Sequence, residues 1–241
     1  MNFTYIILLI SAAGLGSVAA WLMRKQTNNE VLNILLSFTG AYLLGVTVIH
    51  LLPEVFAHAT GTTIPLFIFA GFFVQLIIVQ FTRGIEHGHL HLHEQFSKSY
   101  VFGVFFGLSM HAFLEGIPLA ATEMGLESTR QIFLAVMLHK IPESFALATV
   151  LFFSFKDLRA AIPLLIVFIF MTPLGGIFGS FLTHESASHS INWLLAMVSG
   201  TFIHISTTII FEAGGKSHRI SLYKFLAIIA GALVTYIAAM M

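Results

Sequence analysis

Residues 160–182 read AAIPLLIVFIFMTPLGGIFGSFL and contain no charged side chain. A helix of this length crosses the ~30 Å hydrocarbon core of a bilayer. Seven further apolar segments of comparable length predict an all-α polytopic membrane protein with eight transmembrane helices in a single transmembrane domain over residues 1–241. The predicted spans are residues 3–23, 31–57, 64–81, 100–122, 129–153, 160–182, 191–211 and 220–241.

The composition excludes a water-soluble protein and restricts the chemistry. Hydrophobic residues make up 57% of the chain and charged residues 9%, with a mean hydropathy of +0.92. The formal net charge is zero, so there is no electrostatic basis for nucleic acid as a partner. Because the chain has no cysteine but twelve histidines, a metal site would use imidazole and oxygen ligands.

The lysines and arginines between the apolar segments predict the orientation in the membrane. They lie almost entirely in the first, third, fifth and seventh loops, and basic residues in short loops stay on the cytoplasmic side. We therefore expect both termini outside the cytoplasm in a multi-pass protein of the plasma membrane. The basic residues of these four loops are Arg24, Lys25, Arg83, Lys98, Lys156, Arg159, Lys216, Arg219 and Lys224.

Two predicted spans repeat one arrangement of ionisable residues. His111 precedes Glu115 in the fourth span, and His139 precedes Glu143 in the fifth, by four residues in each case. This spacing places both side chains of a pair on one face of a helix. Two such helices facing each other would bring together two imidazoles and two carboxylates, a ligand set suited to Zn²⁺ or another first-row divalent ion. The alternative for either pair is a His–Glu hydrogen bond between helices that only stabilises the bundle.

Prolines accompany both pairs. Pro118 and Pro142 each remove one backbone hydrogen bond and allow the helix to bend beside the proposed site. Interrupted helices near the bilayer midplane are typical of transporters.

These motifs resemble the ZIP (Zrt/Irt-like) family of metal transporters. The segments His111-Ala-Phe-Leu-Glu115-Gly and His139-Lys140-Ile-Pro142-Glu143 align with its fourth- and fifth-helix patterns without gaps. The resemblance implies a 3+2+3 arrangement, with inverted repeats of helices 1–3 and 6–8 around helices 4–5, and suggests a homodimer. It also implies that His111, Glu115, His139 and Glu143 bind the transported metal.

The chain departs from the family pattern where some members hold a second metal. Those positions are occupied here by Ala112, Lys140 and Thr172. The ammonium group of Lys140, three residues before Glu143, would supply the charge of the second cation. We therefore predict a site for one metal ion.

Other histidines suggest secondary roles. His50 and Glu54 repeat the four-residue spacing in the second span and are interpreted as an outer vestibule or a helix-end hydrogen bond, and His204 as a pathway residue or a core histidine. The cytoplasmic loop at residues 83–99 is rich in histidine, which is typical of a weak, exchangeable metal-binding tract or of a merely solvated loop. Its histidines are His87, His89, His91 and His93.

The sequence thus predicts a transporter, not an enzyme, that moves a divalent metal ion into the cytoplasm within the lipid bilayer. Zn²⁺ is the first choice, with Fe²⁺, Mn²⁺ and Cd²⁺ as alternatives, and we expect no permanently bound cofactor. One rival is a membrane-embedded zinc-dependent hydrolase, in which water occupies one metal position. Another is a b-type haem carrier with axial ligands such as His50 and His204.

Overall fold

The computed structural model describes residues 2–24, 30–57, 61–85, 96–124, 128–155, 157–185, 188–212 and 220–240. This part of the chain is helical without strands, and eight helices are long and apolar enough to cross a membrane, which confirms the predicted fold class. We number them α1 (Phe3–Met23), α2 (Glu30–Ala57), α3 (Thr63–Thr82), α4 (Lys98–Gly116), α5 (Ser128–Ser154), α6 (Leu158–Glu185), α7 (Ser188–Glu212) and α8 (Leu222–Met240).

Local signals define several helix ends. The Asn2 side chain accepts a hydrogen bond from the Thr4 backbone N–H at 3.1 Å and caps α1, and Ser97 caps α4 in the same way. Helix α3 ends at Arg83, which has a φ of 53°. The Asn2 and Ser97 caps satisfy backbone N–H groups in the first turns of α1 and α4 that have no partner within the helix.

Two helices depart from regular α geometry. In α2, residues Thr47–Leu51 form a π-helical turn that contains His50. Helix α4 becomes a 3₁₀ helix over Ile117–Met124, directly after Glu115 and Gly116. The predicted interruption next to Pro118 is therefore present, whereas α5 continues as an α-helix through Pro142.

The helices form two bundles. Helices α1, α4, α5 and α6 pack together and form what we call the site bundle, while α2, α3, α7 and α8 form the flanking bundle. The most extensive pairs are α1–α5 and α4–α6 in the first, and α3–α7 and α2–α8 in the second. Exchanging helices 1–3 with helices 6–8, and 4 with 5, converts each pair into the other pair of its bundle. This packing agrees with the inverted repeats that the resemblance to the ZIP family implies.

Glycines bring helix backbones together inside each bundle. In the site bundle, a Cβ added at Gly116 would collide with the Thr172 carbonyl, and one at Gly175 would collide with the Phe113 carbonyl. In the flanking bundle, Gly71 faces the Met197 carbonyl in the same way. Each bundle is therefore tightly interlocked through its own backbone.

The two bundles meet mainly along α2–α5 and α3–α4. At the α3–α4 contact, Gly107 lies against the side chains of Thr82 and Phe81. The backbone carbonyls closest to a Cβ added at Gly103 or Gly107 are 3.4 Å away, an ordinary contact distance, so the backbones approach less closely here than inside the bundles.

Candidate metal site

The helices α4 and α5 bring three of the four predicted ligands together. Glu115 Oε1 lies 2.8 Å from His111 Nε2 and 3.9 Å from His139 Nε2. All three side chains are completely buried, and one ligand atom from each lies within 4.8 Å of the other two. The duplicated four-residue spacing therefore places both imidazoles beside the same carboxylate.

The donor set of this cluster suits a cation. His139 Nε2 has no hydrogen-bond partner within the described residues, and His111 Nε2 and Glu115 Oε1 have only each other. When both imidazoles are neutral with Nε2 unprotonated, two nitrogens and a carboxylate oxygen present lone pairs to one another, and such buried lone pairs without a cation between them are destabilising. A divalent ion bound to these atoms removes that repulsion.

The ammonium of Lys140 links the two carboxylates. Lys140 Nζ lies 2.6 Å from Glu115 Oε2, donates a hydrogen bond to Glu143 Oε2, and lies 5.6 Å from the centroid of the Phe168 ring. The other carboxylate oxygen of Glu143, Oε1, has no hydrogen-bond partner in the described part of the chain. Glu143 is therefore attached to the cluster through Lys140 and is not one of the three mutually close ligands.

The residues at the second-metal positions of the family are buried next to the cluster. Ala112 is fully buried one residue after His111, and Thr172 is 2% exposed on α6, where its carbonyl faces Gly116. Neither side chain carries a charge. The positive charge at this side of Glu115 therefore comes from Lys140.

Two residues of the flanking bundle contact the Nδ1 atoms of the imidazoles, the ring nitrogens that do not face Glu115. His111 Nδ1 donates a hydrogen bond to Gln75 Oε1 of α3 at 3.2 Å, and His139 Nδ1 lies 3.5 Å from Thr39 Oγ1 of α2. Both Gln75 and Thr39 are buried. The sequence motifs did not indicate either residue, although a glutamine within the apolar α3 was an available signal, since polar groups in spans are costly.

A cavity lies beside the N-terminal end of α5. Its volume is about 710 Å³, and the polar side chains that line it are Tyr42, His50, Arg130 and Gln131. At its wall, the Tyr42 hydroxyl donates a hydrogen bond to Gln131 Oε1 at 3.3 Å, which connects α2 to α5. His50 therefore faces a space on the predicted outer side of the site.

The remaining predicted residues lie elsewhere or outside the described residues. Glu54 is half-buried one turn beyond His50 on α2, and His204 of α7 packs edge-on against the Phe72 ring at 4.7 Å. The four histidines of the predicted metal-binding loop, His87, His89, His91 and His93, lie outside the described residues.

Comparison with known proteins identifies the family. The sequence model of the ZIP Zinc transporter family matches residues 86–239, which include both halves of the cluster. The chain belongs to the ZIP family. Its membrane-length helices make this ZIP protein a multi-pass integral membrane protein. Membership agrees with the prediction of a transporter and not an enzyme.

A curated relative gives a further comparison for this ZIP chain. Zinc transporter ZIP9-B of Xenopus laevis is 30% identical over 125 residues, an alignment that covers 46% of this chain and 40% of the relative. The chain thus spans less than half of that relative's length.

Proposed function

We propose that this ZIP protein carries Zn²⁺ across the membrane into the cytoplasm, with His111, Glu115 and His139 as ligands. The observation that carries the proposal is the fully buried cluster in which two Nε2 atoms face one carboxylate oxygen. Imidazole and carboxylate are ligands that Zn²⁺ prefers, although Fe²⁺, Mn²⁺ and Cd²⁺ accept the same types. The family description and the relative's name support zinc as the substrate.

We assign Glu143 as the fourth ligand of a single ion. Its Oε1 atom is buried and has no hydrogen-bond partner among the described residues, so it is available to an ion beside Glu115. Lys140 holds the other oxygen and provides the positive charge that a second metal would otherwise bring. The site therefore binds one zinc per chain.

The proposed path enters from outside the cell. The cavity lined by His50 and Gln131 receives the ion. In this orientation the protein lies in the plasma membrane, with both termini on the outer side and the basic loops in the cytoplasm. The cluster itself is fully buried, so the path continues only after the helices around it move.

The two bundles provide such a movement. Each bundle is interlocked by glycine contacts, and the cluster belongs entirely to the site bundle. Sliding or rocking of the site bundle against the flanking bundle would expose the ion first to one side and then to the other. Transport by rigid-body motion around a fixed site is a common solution among secondary transporters.

A zinc hydrolase is the alternative function. A cluster of two histidines and one glutamate is also a catalytic zinc ligand set. However, all three side chains and Lys140 are buried, so an ester or peptide substrate has no exposed metal face to approach. Hydrolysis of such substrates by the purified protein would support this alternative.

Uptake of ⁶⁵Zn²⁺ into proteoliposomes tests the proposal. The wild type should show saturable uptake, with one zinc per chain in equilibrium dialysis, and Glu115→Gln should abolish uptake because one carboxylate serves both imidazoles. Competing Fe²⁺, Mn²⁺ and Cd²⁺ rank the ions. The matched control is Glu30→Gln at the exposed start of α2, which should transport like the wild type.

Either of two results would contradict the proposal. No uptake of any of these ions by folded wild-type protein would remove the transport function. Wild-type uptake by Glu115→Gln would move the site away from the cluster.

A further inference from the structure

Two polar contacts cross the interface between the bundles and end on the metal-binding histidines. Gln75 Oε1 contacts His111 Nδ1 at 3.2 Å, and Thr39 Oγ1 lies 3.5 Å from His139 Nδ1. In both cases the histidine belongs to the site bundle and its partner to the flanking bundle. In both histidines the ring nitrogen that makes the contact is Nδ1.

These contacts fix which nitrogen of each ring faces the ion. The Gln75 carbonyl oxygen only accepts hydrogen bonds, so His111 Nδ1 must carry the proton. The Thr39 hydroxyl donates to the Leu36 carbonyl at 3.3 Å, which leaves its oxygen lone pairs to accept from His139 Nδ1. In the neutral form of each ring, the form that binds a metal, Nε2 is then unprotonated and is directed towards Glu115 Oε1.

We infer that Gln75 and Thr39 are positioning residues that make zinc affinity depend on how the two bundles are aligned. This inference rests on the proposed transport function and extends it. A histidine ligand is oriented and made more basic by the acceptor on its other nitrogen. Since both acceptors belong to the flanking bundle, sliding of the site bundle withdraws them, and the histidines then hold the ion less tightly. Ion release is thereby coupled to the movement that opens the site.

The first experiment removes the acceptor of His111. Gln75→Met keeps the length of the side chain but cannot accept from Nδ1, and we expect zinc affinity in equilibrium dialysis of detergent-purified protein to fall about 10- to 100-fold. The KM for ⁶⁵Zn²⁺ uptake should rise by a similar factor while the maximal rate is retained. The matched control is Gln80→Met on the same helix, because Gln80 is exposed and bonds only to its own helix.

The second experiment strengthens the same contact. In Gln75→Glu a carboxylate accepts the His111 hydrogen bond and raises the basicity of the ring. Zinc should bind more tightly than to the wild type, and the maximal uptake rate should fall because release is slower. A purely structural role of Gln75 predicts weaker binding in both variants, so opposite shifts distinguish positioning from packing.

The third experiment tests His139 separately. Thr39→Val keeps the shape of the side chain and removes the hydroxyl, and should weaken zinc binding about 2- to 10-fold, while Thr39→Ser should restore it. Thr149→Val is the control, because the Thr149 hydroxyl donates only to the Phe145 carbonyl of its own helix.

The outcomes separate the inference from the proposed function. If the wild type binds and transports zinc but Gln75→Met and Thr39→Val match their controls, the inference is wrong and the transport function stands. If the folded wild type neither binds nor transports zinc, both fail together.

Discussion

The site bundle and the flanking bundle have similar helices but differ in where charge is buried. Among the described residues, every fully buried lysine or glutamate lies in the site bundle, namely Glu115, Lys140 and Glu143. The flanking bundle buries neutral polar groups, of which Gln75 and Thr39 reach the histidines. In the proposed cycle, the carboxylates that face the ion and the ammonium between them therefore belong to one bundle. The proposed movement of the bundles would break the hydrogen bonds to Gln75 and Thr39 but no ion pair of this cluster, and separating a buried ion pair is the more costly of the two.

The packing inside and between the bundles differs in a related way. Inside each bundle, glycines such as Gly71 and Gly116 face backbone carbonyls of a neighbouring helix, which cannot move aside. At the α3–α4 contact between the bundles, Gly107 faces side chains, which can change rotamer. The contrast is not uniform, since Gly40 and Gly45 inside the flanking bundle face side chains, but the closest backbone approaches lie inside the bundles.

Removal of the buried ammonium should have the largest effect. In Lys140→Met the carboxylates of Glu115 and Glu143 lose their shared cation, and loss of one partner from a buried ion pair costs about 3–5 kcal/mol. The melting temperature of the zinc-free protein in detergent should fall accordingly. Zinc should stabilise this variant more than it stabilises the wild type, because the ion replaces the missing charge.

Lys98→Met is the control for this change, since Lys98 lies at the exposed start of α4. Equal melting temperatures of Lys140→Met and Lys98→Met without zinc would show that Lys140 does not balance the carboxylates.

A methyl group between helices inside one bundle should have an intermediate effect. In Gly71→Ala the new Cβ would overlap the Met197 carbonyl of α7, and overpacking of this kind costs about 1–3 kcal/mol. Thermal melting in detergent measures the loss. Gly14→Ala serves as the control, because a Cβ at Gly14 meets no atom within 4 Å. Melting of Gly71→Ala at the Gly14→Ala temperature would mean that the α3–α7 contact is not rigid.

The same change between the bundles should have the smallest effect on stability. In Gly107→Ala the Cβ would lie 2.6 Å from Thr82 Cγ2, which a rotamer change can move, and 3.2 Å from Phe81 Cβ, which requires only a shift of a few tenths of an ångström. We expect a loss of less than about 1 kcal/mol in melting experiments. The maximal ⁶⁵Zn²⁺ uptake rate should nevertheless fall roughly two- to fivefold, because the methyl group must pass the α3 side chains during movement. A stability loss as large as that of Gly71→Ala would remove the distinction between interior and boundary.

The eight helices were predictable because an apolar segment in lipid has few alternatives to a helix. Long uncharged runs such as residues 160–182 specify membrane-length helices by themselves. The π-helical turn at Thr47–Leu51 was not predicted, because Pro53, which follows it by two residues, indicates a disturbed helix but not the type of the disturbance.

The candidate site was predictable in its residue types and only partly in its geometry. The repeated four-residue spacing indicated that His111, Glu115 and His139 would converge, as they do. It did not show that Glu143 would turn towards Lys140, because spacing along one helix does not determine a side-chain rotamer. Gln75 and Thr39 were missed because their contacts join distant helices and leave no pattern in the local sequence.

The lysine between the two carboxylates has an electrical consequence. With ionised carboxylates and neutral imidazoles, Glu115, Lys140 and Glu143 together carry one negative charge, and one bound Zn²⁺ changes this to one positive charge. In the proposed cycle the loaded bundle moves inward as a cation and the empty bundle returns as an anion. An inside-negative membrane potential therefore favours both steps, by about 2.3 kcal/mol per full charge crossing for each 100 mV. Without the ammonium, the loaded site would be neutral and the potential would act on the return step alone.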